Sequence, residues 1–251
     1  VTEHRFLSAS GQLIIGKQGY AKAVFAYDSA GNALRSTYFD AEGQQSFVAD
    51  GYAANSADYD GRGNVLNWQY YGPDGEPVRR KEGYASVESV YNSRGQVTER
   101  RYLGLNGEPV ITTLGYARVS YDYDQKGNFT ETRYFDHQGR LGHTGFNYAV
   151  ARYGYDSRGN QTSRTYFDEG LQPGSDKAGI HRIEWKFDDQ GRILSISQLG
   201  LDGGLVADAS GGAVFENFYD RRGLKTLERF RDATGNIALS KTGMAQIERR
   251  Y

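Results

Sequence analysis

Apolar residues recur at every second position in short runs along this chain. Positions 23, 25 and 27 hold Ala23, Phe25 and Tyr27. The same places later read Val87, Ser89 and Tyr91, then Val119, Tyr121 and Tyr123, then Ile183, Trp185 and Phe187. The positions between them are mostly polar, as at Glu88, Ser120, Arg152 and Glu184. A period of two with one apolar face is that of a half-buried strand. The three- and four-residue spacing of an amphipathic helix is not found in these runs. The pattern predicts a first strand over 22–27 and a second over about 32–38, with counterparts of the second at 64–70 and 128–134.

The runs return in register. Tyr27, Tyr59, Tyr91, Tyr123, Tyr155, Phe187, Tyr219 and Tyr251 are each 32 residues apart. A second aromatic series is Tyr38, Tyr70, Tyr102, Tyr134 and Tyr166, followed by Gln198 and Phe230. A fixed internal period outranks any local reading. The chain is therefore read as a single array over 1–251: a partial copy at 1–18, copies opening at 19, 51, 83, 115, 147, 179 and 211, and a partial copy at 243–251. Later copies deviate. Asn147 replaces the opening glycine, Ile180-His181 and Gly212-Ala213 replace Tyr-Ala, and 171–177 reads as a loop outside the pattern.

Turn chemistry separates the strands. Asp28–Gly31, Asp60–Gly63, Asp124–Gly127 and Asp156–Gly159 share an Asp-x-x-Gly spacing. Aspartate at the first turn position accepts backbone N–H bonds, and glycine at the fourth takes positive φ. This predicts a hairpin loop of three to five residues with a bulge. A second turn follows each second strand, as at Asp40–Gly43 and Asp136–Gly139. After it comes a short extended piece carrying Pro77 or Pro109, where proline marks an edge or a break in pairing. The fold class is all-β: tandem antiparallel hairpins forming one curved or spiral, solenoid-like sheet. A closed barrel- or propeller-like ring is the alternative, because Val1 is in register with Ala33 and Tyr251 with Tyr27.

The core Tyr27-Asp28-x-x-Gly31-Asn32, with its copies from Tyr59, Tyr155 and Phe187, resembles the YD repeats of bacterial Rhs-type surface and toxin proteins. The unit here is longer and adds a Gly-Tyr-Ala opening at Gly19, Gly51, Gly83 and Gly115. The resemblance implies strands wound into a spiral sheet, and an extracellular or cell-envelope location in a bacterium. It does not carry the enclosure of a cargo over to this chain.

Composition narrows the function. Thirty basic residues against 31 acidic ones give a net charge of −1, which offers no electrostatic reason for nucleic acid or an anionic membrane. No apolar run approaches the roughly 18 residues of a membrane span, and the absence of cysteine removes disulfides and thiolate metal sites. With 20 Tyr and 12 Phe, the chain has rings enough to stabilise a thin sheet.

No catalytic constellation is expected, and no cofactor. His137 and His143 lie near Asp136 and could in principle hold a metal, but a solvated turn is the expected reading. The Asp-x-x-Gly turns could stack as a calcium ladder, or each aspartate could cap its own turn. The row Tyr20, Tyr52, Tyr84, Tyr116 and Tyr148 is the candidate ligand-binding set, together with Trp68, which follows neither series. These rings would stack on a repetitive glycan, or else pack between copies. The favoured function is a non-catalytic scaffold of a bacterial surface or secreted protein that binds a glycan or protein partner, with multivalency over a polymeric ligand. A structural spacer or shell segment of a larger toxin or adhesin is the first alternative, and it needs no exposed aromatic row. An enzyme at the axis of a ring is the second, with His181, Arg182 and Glu184 as its residues by deviation.

Overall fold

The computed structural model describes residues 2–142, 144–239 and 243–251. They form strands joined by turns, with no helix among the described residues. The strands are β1 (Glu3–Arg5), β2 (Lys22–Tyr27), β3 (Ala33–Phe39), β4 (Ala54–Tyr59), β5 (Val65–Tyr71), β6 (Ser86–Tyr91), β7 (Val97–Leu103) and β8 (Arg118–Tyr123). They continue as β9 (Phe129–Phe135), β10 (Val150–Tyr155), β11 (Gln161–Phe167), β12 (Arg182–Phe187), β13 (Ile193–Leu199), β14 (Val214–Tyr219), β15 (Lys225–Arg231) and β16 (Gln246–Glu248). The hydrogen-bonded order is the chain order, β1 through β16. This is the tandem-hairpin architecture, in an open linear order rather than a ring. By contacts the chain divides into two units: Val1–Ser120 with Phe135–Arg140, and Tyr121–Tyr134 with Leu141–Tyr251.

Each copy contains one long ladder and one short one. Inside a hairpin the register runs from Lys22↔Phe39 to Tyr27↔Ala33, with a bulge between Ala26 and Tyr27. The bulge recurs at Asp58/Tyr59, Val90/Tyr91, Gly154/Tyr155, Lys186/Phe187 and Phe218/Tyr219. Between copies only three residues pair, Arg35↔Ser56, Ser36↔Asn55 and Thr37↔Ala54. The bulge increases local twist, so neighbouring hairpins part near the Asp-x-x-Gly turns. Side chains take over there. The Tyr59 hydroxyl donates to the Ala33 carbonyl at 2.9 Å, Tyr91 to Val65 at 2.9 Å, Tyr219 to Ile193 at 3.0 Å and Tyr251 to Lys225 at 3.1 Å. These four turn tyrosines each clasp their copy to the one before it.

The Gly-Tyr-Ala opening is a third turn in its own right. The Gly51 N–H donates to the Val48 carbonyl at 2.9 Å, and the Val48 N–H to the Tyr52 carbonyl at 2.7 Å. Gly51 has φ of 86°, and Asn147 takes φ of 77° at the same place, a conformation asparagine tolerates. The segment 171–177 keeps the pattern as well. Leu171 donates to the Asp168 carbonyl at 3.1 Å, and Phe167 bridges Pro173. It only looks irregular because leucine stands where other copies have glycine. Leu171 sits at φ of 59°, which costs an L residue about 1–2 kcal/mol. Leu171→Gly is accordingly expected to stabilise the protein by about 1 kcal/mol, read as a higher urea midpoint at unchanged slope.

Proline falls where the ladder spares its nitrogen. Around Pro77 the main-chain bonds run from Gly72 to Glu76 and from Val78 to Tyr70, while Pro77 itself bridges Tyr71. The two faces of the strands differ. One carries Ala23, Tyr38, Asn55, Tyr70, Val87 and Tyr102, which meet across the ladders. The other carries ion pairs and cations over rings: Arg118 to Glu99 at 2.7 Å and over Phe135 at 3.6 Å in the first unit, and Arg152 to Glu131 at 2.5 Å and over Phe167 at 4.3 Å in the second.

Candidate functional site

The aromatic face is built from the two tyrosine series together. Tyr52, Tyr84 and Tyr148 each pack on the second-strand tyrosines before and after them. In the first unit ring centroids step from Tyr20 to Tyr38 (5.0 Å), Tyr52 (5.8 Å), Tyr70 (4.9 Å), Tyr84 (5.9 Å), Tyr102 (4.9 Å) and Tyr116 (5.6 Å). In the second unit Tyr148 lies 5.9 Å from Tyr134 and stacks on Tyr166 at 4.3 Å. Tilted and edge-on rings at these separations are the favoured aromatic geometry. The opening alanines Ala21, Ala53, Ala85, Ala149 and Ala213 beneath the rings are fully buried. Burial raises the phenol pKa values of Tyr52 and Tyr84, and pushes that of Tyr148 up to about 12.

The candidate tyrosines are largely covered by this packing. Tyr84, Tyr116 and Tyr148 are only 9%, 8% and 9% exposed, and Tyr20 and Tyr52 are half-buried. Their ring faces meet other rings, so they offer a sugar little. Trp68 is half-buried too, and packs against Tyr70, Tyr84 and Val87. It pairs with Ala57 and Val87 across its strand, where Ser36 and Thr132 are buried in their own copies. It lines a shallow cleft of about 300 Å³ with Ser89 and Arg100.

The aspartates serve their own turns. Asp60 Oδ1 accepts from the Arg62 N–H at 2.8 Å and the Asn64 N–H at 2.9 Å, while Oδ2 accepts from Asn64 Nδ2 at 2.8 Å. Asp28, Asp124 and Asp156 repeat the arrangement with Asn32, Asn128 and Asn160. The asparagine side-chain amides, then backbone N–H groups, hold these carboxyls below their usual range. Such a group stabilises the fold above its unfolded pKa and loses that contribution as pH falls through its folded value. Stability is therefore expected to decline below about pH 4, as read by urea unfolding at successive pH values. Asn92 makes the same backbone bonds without charge, from Arg94 and Gln96. Asp60→Asn is thus expected to leave the urea midpoint at pH 7 little changed and to flatten the acid limb.

The turns also reach one another. Arg62 Nη1 donates to the Ser93 carbonyl at 2.6 Å, Lys126 Nζ to that of Ser157 at 2.9 Å, and Arg158 to that of Asp189. Among the described residues no group of three or more His, Cys, Asp or Glu is placed to hold a metal ion. Asp136 Oδ1 accepts from the backbone N–H groups of Gln138 and Arg140 at 2.9 and 3.0 Å; His143 lies outside the described residues. His181, Arg182 and Glu184 do not converge. Arg182 Nε donates to Glu184 at 2.8 Å, whereas His181 Nδ1 lies 2.7 Å from the Gly174 carbonyl.

Arg80 was not singled out by its sequence. Its guanidinium stands 5.8, 5.1 and 5.5 Å from the rings of Tyr52, Tyr70 and Tyr84. The signal for it is a repeat deviation, since Val48, Thr112 and Thr144 hold that position in neighbouring copies.

No family model and no curated protein matches the chain. Its fold is similar to that of a solved chain in the crystal structure of TcdB2-TccC3-TEV, with a TM-score of 0.53 and 15% identity, over 98% of this chain and 12% of that one. A chain of the Photorhabdus luminescens Tc holotoxin pore aligns over 95% of this chain and 14% of its own length, at 13% identity and a TM-score of 0.34. The present chain thus spans about an eighth of the first of these. The TcdB2-TccC3-TEV likeness is one of fold.

Proposed function

We propose that this chain is a non-catalytic structural segment, a stretch of shell or spacer, in a larger secreted bacterial protein of the toxin type. The observation that carries this reading is the use of the aromatic row inside the fold. A repeated glycan binder must leave ring faces open once per copy, and here the rings are spent on joining copies. The joints share a short ladder, five of them add a ring pair such as Tyr38–Tyr52 or Tyr70–Tyr84, and in four described copies a tyrosine hydroxyl bonds the preceding carbonyl. The fold likeness to a stretch of a TcdB2-TccC3 chain supports the same reading. Among the described residues no helix is long and apolar enough to cross a membrane.

Excising one whole copy tests it. Removing 51–82 joins Asp50 to Gly83 in register. A structural array of near-equivalent copies is expected to remain folded, with the same circular dichroism per residue and a lowered unfolding midpoint. The intact chain is expected to give a blank glycan array. Collapse of the excised chain would refute interchangeable copies. Saturable binding of a glycan polymer that Trp68→Ala abolishes would establish the binding module instead.

A further inference from the structure

The repeat supplies two versions of one cage, and the chain fills only the second. In the filled version Tyr52, Tyr70 and Tyr84 surround the Arg80 guanidinium, whose side chain is 17% exposed. Arg80 Nη1 donates to the Tyr70 hydroxyl at 3.1 Å, and Nε and Nη2 donate to the Glu82 carboxylate at 2.6 and 3.0 Å. Asp50 adds a weaker contact at 3.5 Å. One period earlier stand Tyr20, Tyr38 and Tyr52, with Val48 in place of Arg80 and Asp50 in place of Glu82.

The ring geometry of the two is the same. Tyr20–Tyr38 and Tyr38–Tyr52 measure 5.0 Å at 55° and 5.8 Å at 76°. Tyr52–Tyr70 and Tyr70–Tyr84 measure 4.9 Å at 57° and 5.9 Å at 71°. Valine is too short to occupy the space, and a cleft of about 380 Å³ opens there, lined by the three rings, Val48 and Asp50. The Tyr38 hydroxyl, counterpart of the one that Arg80 uses, has a long 3.5 Å contact from Asn55. Later copies lack the carboxylate: Leu114 and Phe146 hold its place.

We propose that this cleft binds an arginine side chain presented by a partner polypeptide. The rings would supply cation–π attraction to the planar guanidinium, Asp50 the charge-assisted bond, and Tyr38 an acceptor oxygen. Arg80 shows within the same molecule that the cage geometry accepts this group. Lys17 at the rim and Arg80, 3.5 Å from Asp50, are the like charges beside the cleft.

The test is titration of the intact chain with N-acetyl-arginine amide, followed by the tyrosine ring resonances. Saturable binding in the millimolar range is expected, with the neutral citrulline analogue about tenfold weaker or more. Asp50→Asn, an exposed change, is expected to weaken arginine binding about tenfold. Val48→Arg should fill the cleft from within and abolish binding, while Arg80→Ala should open the second cage and add a site. Three results would each overturn the proposal: no saturable binding at tens of millimolar, equal binding of citrulline, or unchanged binding by Asp50→Asn. If Val48→Arg fails to fold, Asp50→Asn and the citrulline comparison still decide.

Discussion

Tyr84→Ala is expected to destabilise the protein by about 3–5 kcal/mol, the range for truncating a buried aromatic side chain. The ring is 9% exposed and touches Tyr70 on one side and Tyr102 on the other. It also covers Arg80 at 5.5 Å and belongs to the cluster that holds Val87. Alanine removes both ring contacts and uncovers one face of a mostly buried guanidinium. Because the loss falls on a joint between copies, a repeat array should also lose cooperativity, seen as a shallower denaturant slope. Tyr84→Phe keeps the ring and is expected to stay within about 1 kcal/mol. Urea unfolding followed by circular dichroism checks both. A loss below about 1 kcal/mol for the alanine variant would show that the short ladders, not the rings, couple the copies.

The second large effect concerns a pair of deviations. Val78, Val110 and Val206 precede Ala85, Ala117 and Ala213 by seven residues; Gly142 precedes Ala149, and one copy has Gly174 and His181 in those places. The His181 ring lies 2.7 Å from the Gly174 carbonyl and edge-on to Phe167 at 6.2 Å. A Cβ at Gly174 would meet Asp168 N at 2.8 Å and Phe167 C at 2.9 Å, both backbone atoms. Gly174→Val is therefore expected to cost about 1–3 kcal/mol as overpacking. Adding His181→Ala restores the Val–Ala pair of three other copies and is expected to recover part of that loss, with a coupling of about 1 kcal/mol or more. A double-mutant cycle measures it, and strict additivity would show that the two deviations arose independently. The pair accounts structurally for the residue that the enzyme alternative relied on.

Much of the site was readable before any coordinates. The period of two placed the strands, and Asp-x-x-Gly placed the first turns and their bulge. Burial of the Tyr-Ala pair was not readable, because an alternating pattern marks two faces without saying which one a neighbouring copy covers. Tyrosine hides this further, since its ring and hydroxyl suit either a wet or a dry place. Trp68 shows the same limit. Its singularity suggested an exposed contact, but its strand position assigns it to the ring-bearing face.

The sequence by itself determined the all-β class, the 32-residue unit and the turn chemistry, since these follow from local rules of backbone and side chain repeated in register. The structure alone decided which bonds join one copy to the next. The three-residue ladders, the 26-residue reach of Tyr59 to Ala33 and the ring pairs depend on how far bulged hairpins part. That separation is a property of packed neighbours, and no single copy contains it. It also decided that Val48 leaves open what Arg80 fills, because a cleft is defined by three rings drawn from successive copies.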